Sequence, residues 1–185
     1  MHAGGLTFYW GTSEWPATMI AEAREICARF GMEPPAVEQT SYSMLLRNRV
    51  EQELLPLYPG GLGLSVYSPL AGGALTGAKP ELAMEAGATA TIESLQKIAA
   101  RLRLPGSNRP CSLPQLALAW TLSNQNVSTA IFGASSLEQL ADNLGALDAL
   151  PLLTDPAATV TLEVEEVLVN FCEMIVLVCL LVLCR

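Results

Sequence analysis

The sequence predicts a parallel α/β fold built from four strand–helix units. Short runs of β-branched and aromatic residues alternate along the chain with longer segments of helical periodicity, and glycines or small polar residues follow the runs. Alternation of this kind implies parallel strands joined by right-handed helical crossovers. The runs are apolar on both faces in this prediction, as in buried parallel strands. Periodicity leaves open a small open sheet or half of a (β/α)8 barrel.

The first unit lies at the amino-terminal end. Leu6–Gly11 (LTFYWG) is aromatic and ends in glycine, which predicts a strand. Ser13 then offers an N-cap, and Pro16 suits the first turn of a helix. Apolar residues recur at helical spacing after Pro16, and Gly31 is a natural stop because glycine readily adopts the left-handed conformation that ends helices.

The second and third strands are predicted at Pro35–Tyr42 and Leu62–Leu70. A short helix between them is expected to end at Pro56 and Pro59, because proline cannot donate a backbone hydrogen bond. The third strand leads into a glycine-rich segment, AGGALTG, at residues 71–77.

The last two units follow the same pattern. An amphipathic helix is expected over residues 92–102, where apolar residues recur three and four positions apart. Ser112 is predicted to cap a second helix, LPQLALAWTL. Val127–Gly133 is predicted as the fourth strand. The helix after it is expected to carry one apolar face, made by Leu137, Leu140, Leu144 and Leu147.

Composition excludes several classes of function. The net charge is −8, with 10 Lys and Arg against 18 Asp and Glu, and the sequence contains no basic run. Nucleic-acid binding is therefore not expected. The 5 cysteines are scattered without a CxxC pair, and the first residues lack the charged and apolar regions of a signal peptide. These features predict a protein of the reducing cytoplasm.

The carboxyl-terminal segment differs in composition from the rest. Residues 174–184 are almost wholly apolar, but this run is shorter than the ~20 residues that a helix needs to cross a bilayer. We expect a buried or exposed tail in preference to a membrane anchor, with a translated non-coding stretch as the third alternative. The domain is predicted to span residues 1–155, with a C-terminal helix and apolar tail at residues 156–185.

Functional residues of parallel α/β proteins lie at the carboxyl ends of the strands. Here those ends are GTSEW, EQTSY, YSPLAGG and GASSLEQ. In the last of them, Ser135 or Ser136 can cap the helix, and Glu138 or Gln139 can complete a capping box. The same helix start favours an anion such as a phosphate, which Gly133 would let approach the backbone. The residues alone leave both interpretations open.

The end of the third strand is similarly open to two interpretations. Gly72 and Gly73 could form a turn or could expose N–H groups to a pyrophosphate, although the segment matches neither generic phosphate motif. Tyr67 could pack in the core or stack on a flat ring.

Several catalytic arrangements lack their necessary residues. The single histidine is His2, so a Ser-His-Asp triad, a histidine base and a histidine-based metal site have no members. None of these three arrangements is therefore expected, and we predict no metal site in this chain.

Several segments, in order and spacing, carry a resemblance to a known family: YWGTSEW, VEQTSYSMLLRNRVEQELLPLY, GLGLSVYSPLAGGALTG, LPQLALAWTLSNQNVS and FGASSLEQLADNLGAL. They resemble the aldo-keto reductases, and within them the branch of the voltage-gated potassium channel β-subunits, over roughly Leu6–Leu153. The resemblance implies a (β/α)8 TIM barrel that binds NADP(H) at the carboxyl edge of its strands. This chain is similar to the second half of that barrel, its last four βα units.

The resemblance also implies a cofactor site. Ser13 and Gln39 would lie by the nicotinamide, with Gln39 bonding its carboxamide, and Tyr67 would take the place of an aromatic residue that stacks on the ring. The pyrophosphate would be lined by Ser68, Pro69, Leu70, Ala71 and Gly72. The adenosine end would be held by Gly133, Ser135, Gln139, Asp142 and Asn143, with Ser135 near its phosphate.

The chain departs from the family pattern in three places. The family's catalytic Asp, Tyr, Lys and His come from the first half of the barrel, which the resemblance does not include. Gly77-Ala78-Lys79 stands where the family has Gly-Lys, and the loop after it, which makes further phosphate contacts in the family, is short. Glu14 stands where many animal members have Arg.

The resemblance gives three hypotheses for function. The first is the family reaction, NADPH-dependent carbonyl reduction, with the catalytic half missing and this chain inactive alone. The second is a non-catalytic regulatory module, similar to a potassium-channel β-subunit, whose partner is another copy or a channel subunit. The third is a half-barrel interaction fragment with no ligand, or one tethered to a membrane through its tail. A truncated gene product is the remaining alternative.

Overall fold

A computed structural model of the chain describes residues 7–77 and 79–183, with side chains described as far as residue 172. Four parallel strands form one sheet in the order β1-β2-β3-β4. The strands are β1 (Gly11–Ser13), β2 (Val37–Ser41), β3 (Gly63–Tyr67) and β4 (Val127–Ile131). Neighbours in sequence are neighbours in the sheet, as in half of an eight-stranded α/β barrel, so the predicted fold class is confirmed.

Helical segments connect and follow the strands. The helices are α1 (Ala17–Phe30), α2 (Pro80–Glu85), α3 (Thr89–Arg101), α4 (Leu113–Ser123), α5 (Leu137–Leu144), α6 (Ala146–Ala149), α7 (Pro151–Thr154) and α8 (Val160–Leu183). Helix α3 packs against both α4 and α8. Leu95, Leu116 and Leu168, one from each of these three helices, are buried in one core with Leu64 and Val66 of β3. The first half of α8 is thus part of the same core as the sheet.

The two faces of the sheet have different environments. Leu64 and Val66 point towards the helices and are fully buried, whereas Gly63, Ser65 and Tyr67 on the opposite face are half-buried. Residues 128 and 129 of β4, a serine and a threonine, are exposed. The prediction that the strands are apolar on both faces is therefore wrong. Among the described residues, helices cover one face only, and the other face carries Tyr67 and Ile131 together with small and polar side chains.

The first strand lies later in the chain than the aromatic run predicted. Strand β1 begins at Gly11, which pairs with Val37, and Phe8 and Tyr9 are exposed. A Cβ on Gly11 would clash with the backbone oxygen of Val37, so this close pairing requires a glycine. The close approach of the Gly11 and Val37 backbones therefore determines where β1 begins. The β propensity of the aromatic residues gives no information on this approach.

The start of α1 also differs from the prediction. Ser13 lies in β1 and does not cap the helix, because Pro16 occupies the N-cap position without a side-chain hydrogen bond. The Ala17 N–H instead donates to a carboxylate oxygen of Glu53, 3.0 Å away. The helix ends at Gly31 in the left-handed conformation, as predicted.

The segment between β2 and β3 is not an ordinary α-helix. It consists of a π-helical turn at Arg49–Glu53 and a 3-10 helix at Leu55–Gly60, which ends at Gly61 in the left-handed conformation. Pro56 and Pro59 each remove a backbone donor, so the α-helical hydrogen-bond pattern cannot continue through this segment.

The apolar face predicted for α5 is present but uncovered. Three of the predicted leucines lie in α5 and the fourth in α6, and all are exposed, with 79, 40, 52 and 61% of the surface of Leu137, Leu140, Leu144 and Leu147 accessible. The helical periodicity was sufficient to find the helix. It could not show whether another element covers that face, and none does among the described residues.

Helix α8 follows α7 and begins at Val160. Val164, Leu168 and Phe171 are buried in the main core. The predicted apolar tail at residues 174–184 lies outside the described side chains. Within the part of the chain that the structure describes, no helix is long and apolar enough to cross a membrane.

Candidate functional site

A cavity of about 690 Å³ opens at the carboxyl ends of β3 and β4. This is the edge at which parallel α/β proteins carry their functional residues. Eight of the residues expected to contact a cofactor line it: Ser68, Pro69, Leu70, Gly72, Gly133, Ser135, Gln139 and Asn143. The structure thus brings together in one cavity residues from two segments far apart in sequence.

The wall contributed by the end of β3 has an unusual backbone. Ser68 and Ala71 have positive φ angles of 54° and 50°, and Gly72 and Gly73 have φ angles of 66° and 111°. Left-handed conformations are costly for residues other than glycine and are concentrated at functional sites. Two backbone hydrogen bonds, from Ala71 N–H to the Ser68 carbonyl and from Gly73 N–H to the Leu70 carbonyl, both 2.9 Å, hold this turn. The chain therefore maintains a strained turn along one side of the cavity.

The opposite wall is formed by the segment between β4 and α5. Ser136 is the residue that caps α5, because its hydroxyl oxygen accepts from the Gln139 N–H at 3.2 Å. Ser135 lies one residue earlier, and its N–H and hydroxyl both donate to the side-chain oxygen of Gln139 at 2.9 Å. All three of these polar residues are exposed. One serine therefore caps the helix, and the other lies on the cavity wall with Gln139.

Gly133 leaves open space beside this helix start. A Cβ on Gly133 would have no atom of the protein within 4 Å, and the residue does not have a positive φ. Neither backbone conformation nor packing inside the chain therefore requires a glycine here. The close approach of a ligand to the backbone would require one.

Lys79 was not among the residues expected to bind a cofactor, yet it lines the cavity. A Cβ on Gly73 would lie 3.3 Å from the Lys79 Nζ, so the ammonium lies directly over that glycine. It is the only positively charged side chain among the described residues of the lining. The signal in sequence was the Lys that follows Gly77, displaced by one residue from the family's Gly-Lys spacing. Gly73, which could form a turn or face a pyrophosphate, also lines the cavity. The other lining residues had no predicted role: Thr76, Pro114, Ile131, Phe132 and Ala134.

Asp142 and Ala71, both expected at the site, are not in this lining. The Asp142 carboxylate is directed towards the start of α4, where it accepts from the Ser112 hydroxyl at 2.7 Å and from the Gln115 side-chain nitrogen at 2.9 Å. Its hydrogen bonds therefore join α5 to α4. Burial, together with the charge of Asp142, raises the pKa of the nearby Cys111 thiol to about 11.

The three residues expected at the nicotinamide form a separate group on neighbouring strands. Ser13 pairs with Gln39 between β1 and β2, and Tyr67 pairs with Ser41 between β2 and β3. None of them lines the cavity. Ser13 and Tyr67 are the last residues of β1 and β3, and Gln39 is the middle residue of β2. Tyr67 is half-buried, and a hydrogen bond to the Glu14 carboxylate raises its pKa. Tyr67 therefore lies at the strand end rather than in the core.

The two groups together form a continuous edge of the kind that binds a long, anionic ligand. Ser68 follows Tyr67 directly, so the cavity begins where the strand-end group stops. Serine hydroxyls, glycine backbone and one ammonium can hold phosphate oxygens. No group of three or more His, Cys, Asp or Glu side chains among the described residues is placed to hold a metal ion.

Comparison with known proteins identifies the family of proteins to which the chain belongs. A model of the aldo/keto reductase family matches residues 1–161. The chain belongs to this family. The match ends at the start of α8, so it includes β1 to β4 and both walls of the cavity.

Two curated relatives of this aldo/keto reductase chain come from plants. It is 43% identical over 163 residues to a probable voltage-gated potassium channel subunit beta of Oryza sativa subsp. japonica, covering 81% of this chain and 50% of the relative. It is 42% identical over 163 residues to a protein with the same description in Arabidopsis thaliana, with the same coverage of 81% and 50%. The chain thus spans about half the length of these relatives.

Proposed function

We propose that this chain binds NADP(H) along the carboxyl edge of its sheet, with the phosphates in the cavity between β3 and β4. The family generally binds this cofactor. The main observation in support of the proposal is that eight residues expected to contact the cofactor line one cavity together with Lys79. A dinucleotide phosphate carries several negative charges, and an ammonium and a helix N-terminus both favour such charges.

Each part of the edge has a proposed role. The turn from Ser68 to Gly73, with Lys79 over it, would hold the pyrophosphate. Ser135, Gln139 and Asn143 would hold the adenosine end, where Gly133 leaves room for the ligand. Ser13, Gln39 and Tyr67 would orient the nicotinamide, with the Tyr67 ring stacked on it.

When bound, the reduced cofactor supplies a hydride to a carbonyl carbon, which is the family reaction. That reaction also needs a proton donor of suitable pKa near the carbonyl. We propose that this chain holds and orients the cofactor but does not turn over a carbonyl by itself. A test is the absorbance of NADPH with an aromatic aldehyde present. Oxidation of NADPH at a rate proportional to protein concentration would contradict this part of the proposal.

Binding itself is tested by titrating the protein with NADPH and following the cofactor's fluorescence. Wild-type protein should show saturable binding, and Gly133→Val should bind at least about tenfold more weakly, equivalent to about 1.4 kcal/mol. The substitution fills space that the protein leaves empty, so the fold should be unaffected. Ala157→Val, in an exposed loop away from the cavity, is the matched control. Equal affinity of Gly133→Val and wild type would rule out this location for the cofactor.

A second candidate function is a non-catalytic module that contacts another protein. The relatives are described as probable potassium channel subunits, and the exposed leucine face of α5 is an apolar surface of the kind that marks protein contacts. The partner would be another copy of this chain or a channel subunit. Sedimentation velocity on the purified protein tests the first of these, because self-association should increase with concentration.

A further inference from the structure

Three carboxylates surround one arginine beside β1 and β2: Glu14 follows β1, Glu38 is the second residue of β2, and Glu53 is in the π-helical turn. Arg49 lies 3.1 Å from an oxygen of Glu38, 3.6 Å from Glu53 and 3.7 Å from Glu14. Glu38 is fully buried. Its carboxylate also accepts hydrogen bonds from the Thr12 hydroxyl and the Trp15 backbone N–H. A single positive charge is thus shared by three negative charges, and the group as a whole is negative.

Glu14 is the member of this group that faces the strand ends. Its backbone N–H donates to the Gln39 carbonyl at 3.0 Å, and its carboxylate accepts from the Ser41 N–H at 3.0 Å. Its φ of 57° is left-handed, which is a costly conformation for a glutamate. The interaction of this carboxylate with the Tyr67 phenol raises the pKa of the phenol. Contacts to β2 therefore hold Glu14 among the residues assigned to the nicotinamide.

Glu14 is charged at neutral pH. Partial burial raises its pKa, but hydrogen bonds from Ser41 and Tyr67 and the positive charge of Arg49 outweigh that effect, and the net shift is downward. Nearly half of its side chain is exposed, at 45%. The charge therefore acts on a neighbouring ligand but is sensitive to dissolved salt.

We propose that Glu14 makes this site prefer the oxidised cofactor, NADP⁺, to the reduced cofactor, NADPH. The inference rests on the proposed function, because the nicotinamide lies beside Ser13, Gln39 and Tyr67 only if the dinucleotide binds as described above. The oxidised ring carries a positive charge and the reduced ring is neutral. A fixed carboxylate beside the ring therefore stabilises the oxidised form selectively. Glu14 is a specificity-determining residue for the redox state of the ligand.

The test is the ratio of the two dissociation constants, measured by calorimetry for wild type and Glu14→Gln. Glutamine keeps an oxygen for the Ser41 N–H and carries no charge. We expect the substitution to weaken NADP⁺ binding about fivefold and to change NADPH binding less than about twofold, since the charge interaction is present in one form only. In wild type, the preference should shrink between about 20 mM and about 300 mM salt. This salt dependence tests the proposal without any substitution.

Two controls separate the possible outcomes. Glu25→Gln removes an exposed carboxylate from the middle of α1 and should leave both constants unchanged. Adenosine 2′,5′-bisphosphate lacks the nicotinamide, so wild type and Glu14→Gln should bind it equally. If both redox forms bind and Glu14→Gln leaves their ratio unchanged, the role of Glu14 is overturned and the cofactor site stands. If wild type binds neither form, the proposed function fails and this inference fails with it.

Discussion

Two helices of this protein begin with the same four-residue pattern, Ser-x-x-Gln, and use it differently. At the start of α4, the Ser112 oxygen accepts from the Gln115 N–H, and the Gln115 side chain accepts from the Ser112 N–H, which completes a capping box. At the start of α5, Ser136 accepts from the Gln139 N–H in the same way. The Gln139 side chain, however, bonds Ser135 instead of returning to Ser136.

Burial accounts for the difference between the two helix starts. Gln115 is 3% exposed, and its side-chain nitrogen donates to both the backbone and the carboxylate of Asp142. Gln139 is exposed and lines the cavity. The same capping chemistry thus locks two helices together when it is buried and leaves polar groups available to a ligand when it is exposed. A capping pattern in sequence does not distinguish a structural helix start from a binding one.

The largest effect is expected from Gln115→Ala. The substitution leaves the half-buried partners Ser112 and Asp142 without these hydrogen bonds and removes a buried side chain, and it should lower the free energy of unfolding by about 2 kcal/mol. Urea denaturation measures this change. Gln139→Ala is the matched control and should cost less than about 0.5 kcal/mol, because its side chain is exposed. Equal losses from the two substitutions would remove the distinction between the helix starts.

The next largest effect is expected on ligand binding at the exposed start. Ser135→Glu places a negative charge on the cavity wall and should weaken NADPH binding at least about tenfold, or about 1.4 kcal/mol. Stability should not fall, since a carboxylate near a helix N-terminus is favourable. Fluorescence titration measures the affinity. Ser135→Gln adds a side chain of the same size without charge, and a loss as large as that of Ser135→Glu would mean that size alone is responsible.

A smaller effect is expected from removing the exposed cap. Ser136→Ala should lower the free energy of unfolding by about 1 kcal/mol, the usual cost of losing a serine N-cap. Ser112→Ala should cost more, because the Ser112 hydroxyl also donates to Asp142. Thermal or urea unfolding of the pair gives both values. If Ser136→Ala were the more destabilising of the two substitutions, the conclusion that the α4 start contributes more to stability than the α5 start would be wrong.

The smallest effect on stability is expected on the leucine face of α5. Leu137→Gln should change the free energy of unfolding by less than about 0.5 kcal/mol, because 79% of the surface of Leu137 is exposed. If this face mediates association between copies, the same substitution should lower the sedimentation coefficient at high protein concentration. An unfolding loss above about 2 kcal/mol, typical of a core leucine, would show that the face is covered.

Sequence reasoning found the fold and most of one cavity wall, and its failures have physical causes. The fourth strand, the Ser112 cap and the Gly31 stop depend on local propensities, so the sequence was sufficient to predict them. The start of β1 depends on how closely Gly11 approaches Val37, which is a contact between distant residues. The hydrogen bonds of Asp142 to α4 could not be predicted, because its partners there are far away in the chain.

Lys79 illustrates the same limit at the site. Its position in sequence differs from the family spacing by one residue, and only the folded turn shows that its ammonium lies over Gly73. The exposure of the α5 leucines was also beyond a periodicity argument, because a repeat of apolar residues identifies a face without naming what covers it.

Cys111, a buried cysteine just before α4, can be used to measure how often this part of the protein opens. Thiols react with alkylating reagents as thiolates, and burial raises the pKa of Cys111 to about 11. Near neutral pH the folded protein should therefore keep Cys111 unreacted while the exposed Cys172 is modified. Opening of the α4–α5 junction would release the thiol to solvent and return its pKa towards the ordinary value. The rate at which mass spectrometry finds label on Cys111 would then measure how often that junction opens in the native protein.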